Sequence, residues 1–270
     1  MTAATWVRLL VVTCAACSAA PSIDVSPGEP DDAAGGKTDE TSKAKAELKV
    51  TIDPLYIRRA RYRLGILNAQ SEMRDIWFFD TPWLELYDAG VILRAREVDG
   101  NDDDSTVKLR PFTAPELDSE LRGLDDMKCE IDRDPDHETS ACSLKIDQEE
   151  GLIGDVVAGE RQLRTLFSSD QEYMLAVHGP GISLTELLAL GPIPARVWTL
   201  RSDELSEKVT AELWYMPDGT QVLELSMKVD VADADDGMEE LLDFIDARDL
   251  ALSDEQESKT ERALTSLVGY

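Results

Sequence analysis

The chain has 270 residues, a formal net charge of −28 at pH 7 and an apolar content of 43%, which is enough for a folded domain with a sizeable core. So acidic a chain is not expected to bind nucleic acid or an anionic membrane surface, because both kinds of binding depend on neutralising negative charge with Lys and Arg. An anionic ligand would therefore need a local basic pocket.

The N-terminus has the pattern of an export signal. Arg8 precedes the apolar run LLVVTCAAC, which is too short to span a bilayer and leads into small residues. Ala15 and Ala16 before Cys17 resemble the lipobox of bacterial lipoproteins. We therefore interpret residues 1–17 as a lipoprotein signal, with Cys17 as the site of lipidation. The alternative is an ordinary secretory signal cut within residues 18–20.

Both interpretations predict an exported protein. With the lipid anchor it is a bacterial cell-envelope lipoprotein of the periplasm or outer membrane, which touches the membrane only through that anchor, and without the anchor it is secreted. Residues 18–43 are rich in Ala, Gly, Pro, Asp, Ser and Thr, so they predict a flexible tether. Residues 44–270 then form the folded domain.

The domain begins with strands that alternate charged and apolar residues. In KAELKVTID, Lys45, Glu47 and Lys49 share one face, and Leu48 and Val50 share the other. The alternation recurs in VILRAREV, STVKLRPF, MKCEID and LKID, and in a later hairpin, TAELWYMPDGTQVLELSMKVD, that turns at its Pro-Asp-Gly.

For any single strand, the plain alternative is a solvated face of an antiparallel sheet. A solvated face in this composition should be mostly acidic, but these faces mix Arg and Lys with Glu. Mixed charge facing inward indicates a water-filled barrel whose apolar outer side is covered. The predicted fold is α+β, an antiparallel β-barrel of about eight strands with helices packed outside.

Two cysteines of the domain flank a turn-forming segment, RDPDHETS. A hairpin centred near Pro135 and Asp136 places Cys129 opposite Cys142, which predicts a disulfide in an exported protein. Two buried free thiols are the alternative, and metal binding by the pair with His137 is a weaker one.

The stretch FFDTPWLELYDAGVILRARE, residues 78–97, carries a resemblance to a known family. It is similar to the motif of the CYTH superfamily, the triphosphate tunnel metalloenzymes: an aromatic residue, Asp-Thr-Pro, Leu-x-Leu-Tyr, then Gly and a strand with Arg-x-Arg. TVKLRP follows this stretch, as the corresponding segment does in the family. LFSSDQEYML resembles the central helix of the family, and SKTERAL resembles its closing helix. The resemblance runs from Lys45 to the C-terminus.

The resemblance implies a triphosphate-like anion as partner, no nucleic acid, and Mg²⁺ or Mn²⁺ as cofactor. It implies three carboxylates as metal ligands, Glu47, Glu130 and Glu224, with Asp132 as a weaker candidate. The catalytic residues that it implies are Glu47, Lys49 and Glu212. The implied substrate-binding residues are Lys49, Arg94, Arg96, Lys108, Arg110, Arg201 and Lys228.

Arg196 and Arg201 cannot both face inward, because their odd separation puts them on opposite faces of a straight strand, and we favour Arg201. The alternative for Arg201 is a surface arginine paired with Asp203 or Glu204.

The sequence departs from the family pattern at the predicted metal site. Where the first strand of the family has Glu-x-Glu-x-Lys, this chain has Lys45, Glu47 and Lys49, and Ser226 follows Glu224 where a second glutamate is common. A lysine beside the site would repel a divalent cation.

Two functions therefore remain open. One is a metal-dependent phosphohydrolase of inorganic or small organic triphosphates. The other is a non-catalytic, polyphosphate-binding envelope lipoprotein.

Overall fold

The computed structural model describes residues 22–29, 44–256 and 258–269. The predicted signal, including Cys17, and most of the predicted tether lie outside the described residues. None of the described helices is both long and apolar enough to cross a membrane.

In the described part of the chain, ten strands form one sheet. Their bounds are β1 Asp24–Pro27, β2 Lys45–Ile52, β3 Glu72–Asp80, β4 Val91–Val98, β5 Asp103–Leu109, β6 Met127–Arg133, β7 Glu138–Gln148, β8 Leu188–Arg201, β9 Val209–Tyr215 and β10 Gln221–Asp230. The sheet order is β1-β8-β3-β4-β5-β7-β6-β2-β10-β9, and β9 pairs back to β8. This last pairing closes a barrel of the nine strands β2 to β10.

The closed barrel confirms the predicted α+β fold and corrects its details. The barrel has nine strands rather than eight, and it is mixed, because β2 and β6 run parallel, with Lys45 opposite Glu130 and Leu48 opposite Arg133. The alternation of residues along a strand shows which side chains share a face, but it does not show whether the neighbouring strand is parallel or antiparallel. The sequence pattern therefore could not reveal the parallel pair.

Strand β1 lies within the segment predicted as a flexible tether. It pairs antiparallel with the end of β8, from Asp24 opposite Arg201 to Pro27 opposite Trp198. These four residues extend the sheet beside the barrel, so the prediction of an unstructured tether is wrong for this segment. Its short polar and proline-containing sequence offered little signal for a strand.

Among the described residues, seven α-helices accompany the barrel. Their bounds are α1 Ile57–Arg63, α2 Glu85–Asp88, α3 Ser119–Arg122, α4 Leu152–Val157, α5 Ser169–His178, α6 Ala234–Asp246 and α7 Lys259–Val268. One apolar cluster joins the outward faces of β2 and β10 to α1 and α6, and a second joins β4, β5 and β7 to α4 and α5. The apolar side of the alternating strands is thus the covered side, which leaves their charged side facing the interior.

The hairpin of β6 and β7 carries the predicted disulfide. Cys129 and Cys142 are directly opposed in the register and are bonded, with their Cα atoms 4.0 Å apart. The hairpin of β9 and β10 also turns at the predicted Pro-Asp-Gly. Both are short-range features, in which a turn sequence between two alternating runs determines the pairing.

Candidate functional site

The barrel encloses a cavity of about 220 Å³ with a charged lining. Among the described residues, eleven Lys and Arg and six Asp and Glu line it. The basic residues are Lys49, Arg74, Arg94, Arg96, Lys108, Arg110, Lys128, Arg133, Lys145, Lys228 and Lys259, and the acidic ones are Glu47, Glu130, Asp132, Asp134, Glu212 and Glu224. The lining therefore has a formal excess of five positive charges in a chain of net charge −28.

The four cations singled out in the sequence, Arg94, Arg96, Lys108 and Arg110, all line this cavity. Strands β4 and β5 are adjacent and antiparallel, so that alternate residues of each strand point to the same side. The predicted convergence of these four side chains is therefore observed.

Asp132 on β6 is the centre of one charged network. Its carboxylate lies 3.0 Å from the Lys49 ammonium, 2.9 Å from that of Lys108 and 3.3 Å from the Arg110 guanidinium. Burial alone would raise the pKa of Asp132, but the charges of Lys49, Lys108 and Arg110 outweigh it and hold the pKa far below the usual range. Asp132 is thus an anion that holds three cations together.

The network extends to β2 through Lys49, whose Nζ lies 2.8 Å from Oε2 of Glu47. Burial would lower the pKa of Lys49, but Glu47 and Asp132 raise it above its ordinary value. The pKa of Lys108 is lowered, because burial and repulsion from Lys49 both disfavour its charged form. The attraction of Asp132 offsets only part of this lowering. Glu47 stays ionised, because Lys49 and Lys228 overcome the effect of burial and lower its pKa.

A second network joins β9, β10 and the start of α7. Nζ of Lys259 lies 2.8 Å from Oε1 of Glu224 and also forms an ion pair with Glu212. The indole N–H of Trp214 donates to Glu212 at 3.1 Å, and the Lys259 ammonium lies 5.1 Å from the centre of the Trp214 ring. The two carboxylates raise the pKa of Lys259 against the opposing effect of burial.

The remaining predicted lining residues are paired within the barrel. Lys228 and Glu130 form an ion pair at 3.1 Å and are partly exposed. Arg96 is buried, and its guanidinium lies 2.6 Å from Oδ2 of Asp104, a residue that sequence reasoning did not select. Because Asp104 neutralises it, we expect Arg96 to contribute less to anion binding than its position in the motif implies.

The structure corrects the assignment of Arg201. Its side chain is 49% exposed, does not line the cavity and lies 2.6 Å from the carboxylate of Glu29. The alternative of a surface arginine is right, although its partner comes from the segment beside β1. Arg196 does not line the cavity either.

The structure also corrects the role expected of Lys45. It shares the face of Glu47 and Lys49 but is the first residue of β2, directly opposite Asp230 at the end of β10. Its side chain is 51% exposed, pairs with Asp230 at 2.7 Å and does not line the cavity. The alternation along β2 gave the correct face, but Lys45 is the first residue of the strand. Although Glu130 on β6 is opposite it, the Lys45 side chain points to Asp230 and not into the cavity.

Five cations of the lining were not among the predicted substrate-binding residues: Arg74, Lys128, Arg133, Lys145 and Lys259. Arg74 on β3 lies 2.5 Å from Glu72 and 3.4 Å from Glu212. The alternation in EMRDIWFFD could have indicated it. Lys259 opens SKTERAL, but nothing in that helical segment indicates that its first residue enters a barrel.

The cavity carboxylates are candidates to hold a divalent ion, but five of the six are already paired with Lys or Arg: Glu47, Glu130, Asp132, Glu212 and Glu224. Within the described part of the chain, a single group of three potential ligands has its atoms within 4.8 Å of one another, namely Asp134, Asp136 and His137. That group lies in the turn between β6 and β7, where Asp136 and His137 are exposed. The predicted ligands Glu47, Glu130 and Glu224 do not form such a cluster.

Comparison with solved structures finds the same fold. HpAC1 from Hippeastrum, a candidate adenylyl cyclase described as having a dominant triphosphatase activity, is 15% identical and superposes with a TM-score of 0.56 over 80% of this chain and 93% of its own. A candidate adenylate cyclase from Bacillus halodurans, bh2851, is 12% identical, with a TM-score of 0.57 over 82% and 97%. Neither protein-family models nor curated proteins give a match. With these structural neighbours and the motif of residues 78–97, the chain has the fold of the CYTH superfamily.

Proposed function

We propose that the barrel binds a triphosphate-type anion and, with Mg²⁺ or Mn²⁺, hydrolyses its terminal phosphate. The observation that carries this proposal is the excess of five positive charges around one enclosed cavity in a strongly acidic protein. A surface of net charge −28 repels anions, so a site of this kind selects a ligand with several closely spaced negative charges. The triphosphatase activity described for HpAC1 agrees with this ligand class.

Three cations around Asp132 are placed to bind phosphate oxygens. Lys49, Lys108 and Arg110 all contact one carboxylate and therefore lie close to one another. Arginine can give two parallel hydrogen bonds to a phosphate, and lysine supplies a point charge. Because Asp132 already holds these side chains in position, little ordering remains to be done when the anion enters.

The residues present fit a divalent ion that enters together with the anion. Glu47 and Asp132 are directly opposed on β2 and β6, and both contact Lys49, so their carboxylates face the same region. Mg²⁺ needs only one or two carboxylates when phosphate oxygens and water complete its coordination. When bound, such an ion would polarise the phosphate and lower the pKa of a coordinated water. Glu47 is ionised at neutral pH and is the carboxylate we assign to orient that water.

The alternative function is binding without hydrolysis. It is favoured by the pairing of five of the six cavity carboxylates with a lysine or arginine, because a metal must compete with those contacts. In either case we propose that the protein acts in the cell envelope, anchored by acylation of Cys17. Metabolic labelling with a fatty acid should mark the natural protein, and labelling should be lost in Cys17→Ser.

The proposed function is tested by calorimetric binding of tripolyphosphate, followed by phosphate release with Mg²⁺ or Mn²⁺. Arg110→Gln removes a cavity cation and should weaken binding by roughly tenfold, since charge-assisted contacts to phosphate are among the stronger hydrogen bonds. Arg201→Gln is the matched control, because Arg201 is an exposed arginine outside the cavity, and it should leave binding unchanged. Equal effects of the two variants, or no binding by the natural protein, would refute the proposal. Binding without phosphate release would establish the alternative.

A further inference from the structure

The pairing of Glu212 with Glu224 poses an electrostatic problem. The two glutamates are directly opposed on β9 and β10, and both side chains line the cavity. Like charges directly opposed across two strands are destabilising, and more so where water is scarce. A cation between the two carboxylates removes this repulsion, and the cation present is the ammonium of Lys259.

The remainder of the C-terminal segment holds Lys259 in place. Gln256 accepts a hydrogen bond from the backbone N–H of Thr51 at 2.8 Å, which ties the segment before α7 to β2. Further along α7, Ala263 and Leu264 are buried in an apolar cluster with Ile76 and other residues of the barrel. Lys259 is therefore inserted by a packed helix and is not a mobile surface side chain that happens to reach the carboxylates.

We propose that Lys259 is a built-in cation that takes the place of a divalent ion between Glu212 and Glu224. The helix α7 thereby excludes metal from this side of the cavity. The consequence for catalysis rests on the proposed function: a metal that enters with a triphosphate is restricted to the side of Glu47 and Asp132.

The test is metal binding without any phosphate ligand. Lys259→Met keeps most of the side-chain volume but removes the ammonium from both carboxylates, and Glu212 keeps its longer contact with Arg74. The affinity for Mn²⁺, measured by electron paramagnetic resonance of the free ion, should therefore rise by roughly tenfold or more. Lys259→Arg keeps a cation and should bind Mn²⁺ as the natural protein does. Lys45→Met removes a lysine of the exposed Asp230 pair and serves as the matched control. Equal Mn²⁺ affinity in Lys259→Met and the natural protein would overturn the proposal.

Thermal unfolding gives an independent measure. Without metal, Lys259→Met leaves two opposed carboxylates without their ammonium, so it should unfold at a lower temperature, and Mn²⁺ should restore much of the loss by binding the folded state. The natural protein should show little response to Mn²⁺. If Lys259→Met folds only when Mn²⁺ is present and unfolds on chelation, the proposal is supported. If it fails to fold with and without Mn²⁺, a divalent ion cannot take the place of the ammonium and the proposal is wrong.

This result is separable from that of the proposed function. A gain of Mn²⁺ affinity in Lys259→Met stands even if the natural protein fails to bind tripolyphosphate, in which case the barrel has another ligand. Binding of tripolyphosphate by the natural protein, together with no gain of Mn²⁺ affinity in the variant, would retain the function and reject the role of Lys259.

Discussion

Asp132→Asn tests the idea that one buried carboxylate organises the cations of the cavity. The substitution keeps the size of the side chain but removes the charge shared by Lys49, Lys108 and Arg110. At separations near 3 Å, each contact has a gross Coulomb energy of about 5 kcal/mol at an effective dielectric constant of about 20. Desolvation offsets most of this, and loss of one member of a buried ion pair typically costs about 3–5 kcal/mol.

Because the cavity admits some water, we expect the lower end of that range, a loss of about 3 kcal/mol in the free energy of unfolding. For a domain of this size, that corresponds to a fall of about 6–12 °C in the unfolding temperature. Urea denaturation followed by tryptophan fluorescence measures the change. Asp235→Asn is the control, since the Asp235 side chain is exposed, and although its partner Arg133 lines the cavity, we expect a loss of under about 1 kcal/mol for so exposed a carboxylate.

The stabilisation from Asp132 should depend on pH in a definite direction. Its folded-state pKa lies far below the ordinary value of about 3.9. The contribution is therefore complete above the unfolded-state pKa and is lost as the pH falls below it toward the folded-state value. Asp132→Asn should show a shallower loss of stability in acid than the natural protein.

Tripolyphosphate should stabilise Asp132→Asn more than it stabilises the natural protein, because the anion replaces the missing negative charge. The reasoning would be refuted if Asp132→Asn and Asp235→Asn lost equal stability, or if the anion failed to favour Asp132→Asn.

Three further substitutions have expected outcomes. Replacing Cys129 and Cys142 by serine removes a cross-link between residues 13 positions apart and should lower the free energy of unfolding, measured in urea, by about 2–3 kcal/mol. A reducing agent should produce the same loss in the natural protein and no loss in the variant. Gly90→Ala should lower the unfolding temperature, because Gly90 has φ +78° and an added Cβ would lie 2.8 Å from the carbonyl oxygen of Arg110. It should also weaken tripolyphosphate binding, because Arg110 is one of the cavity cations. Lys45→Glu should leave the Mn²⁺ affinity unchanged within about twofold in the same resonance assay, because the side chain lies outside the cavity. A higher Mn²⁺ affinity in this variant would show that Lys45 is a neighbour of the metal site.

Much of the cavity lining could be predicted from the sequence because the signal is local. The alternation of charged and apolar residues along each strand separates an inner from an outer face, whatever the strand pairs with. This placed Arg94 and Lys108 inside, and the turn between β6 and β7 placed Cys129 opposite Cys142. The excess of basic residues on those faces, in a chain otherwise so acidic, already indicated an anionic ligand.

Other features required the tertiary structure, because they depend on contacts between residues far apart in the chain. The alternation of residues along β2 put Lys45 on the inner face. Only the register with β10 shows that Lys45 lies at the end of the strand pair, opposite Asp230. Arg201 lies at the end of β8, where its exposed side chain pairs with Glu29, a residue that follows β1 in a segment whose composition predicted a tether. Lys259 reaches Glu212 and Glu224 because α7 docks on the barrel, and the docking of a helix is determined by complementary surfaces and not by the period of its own residues.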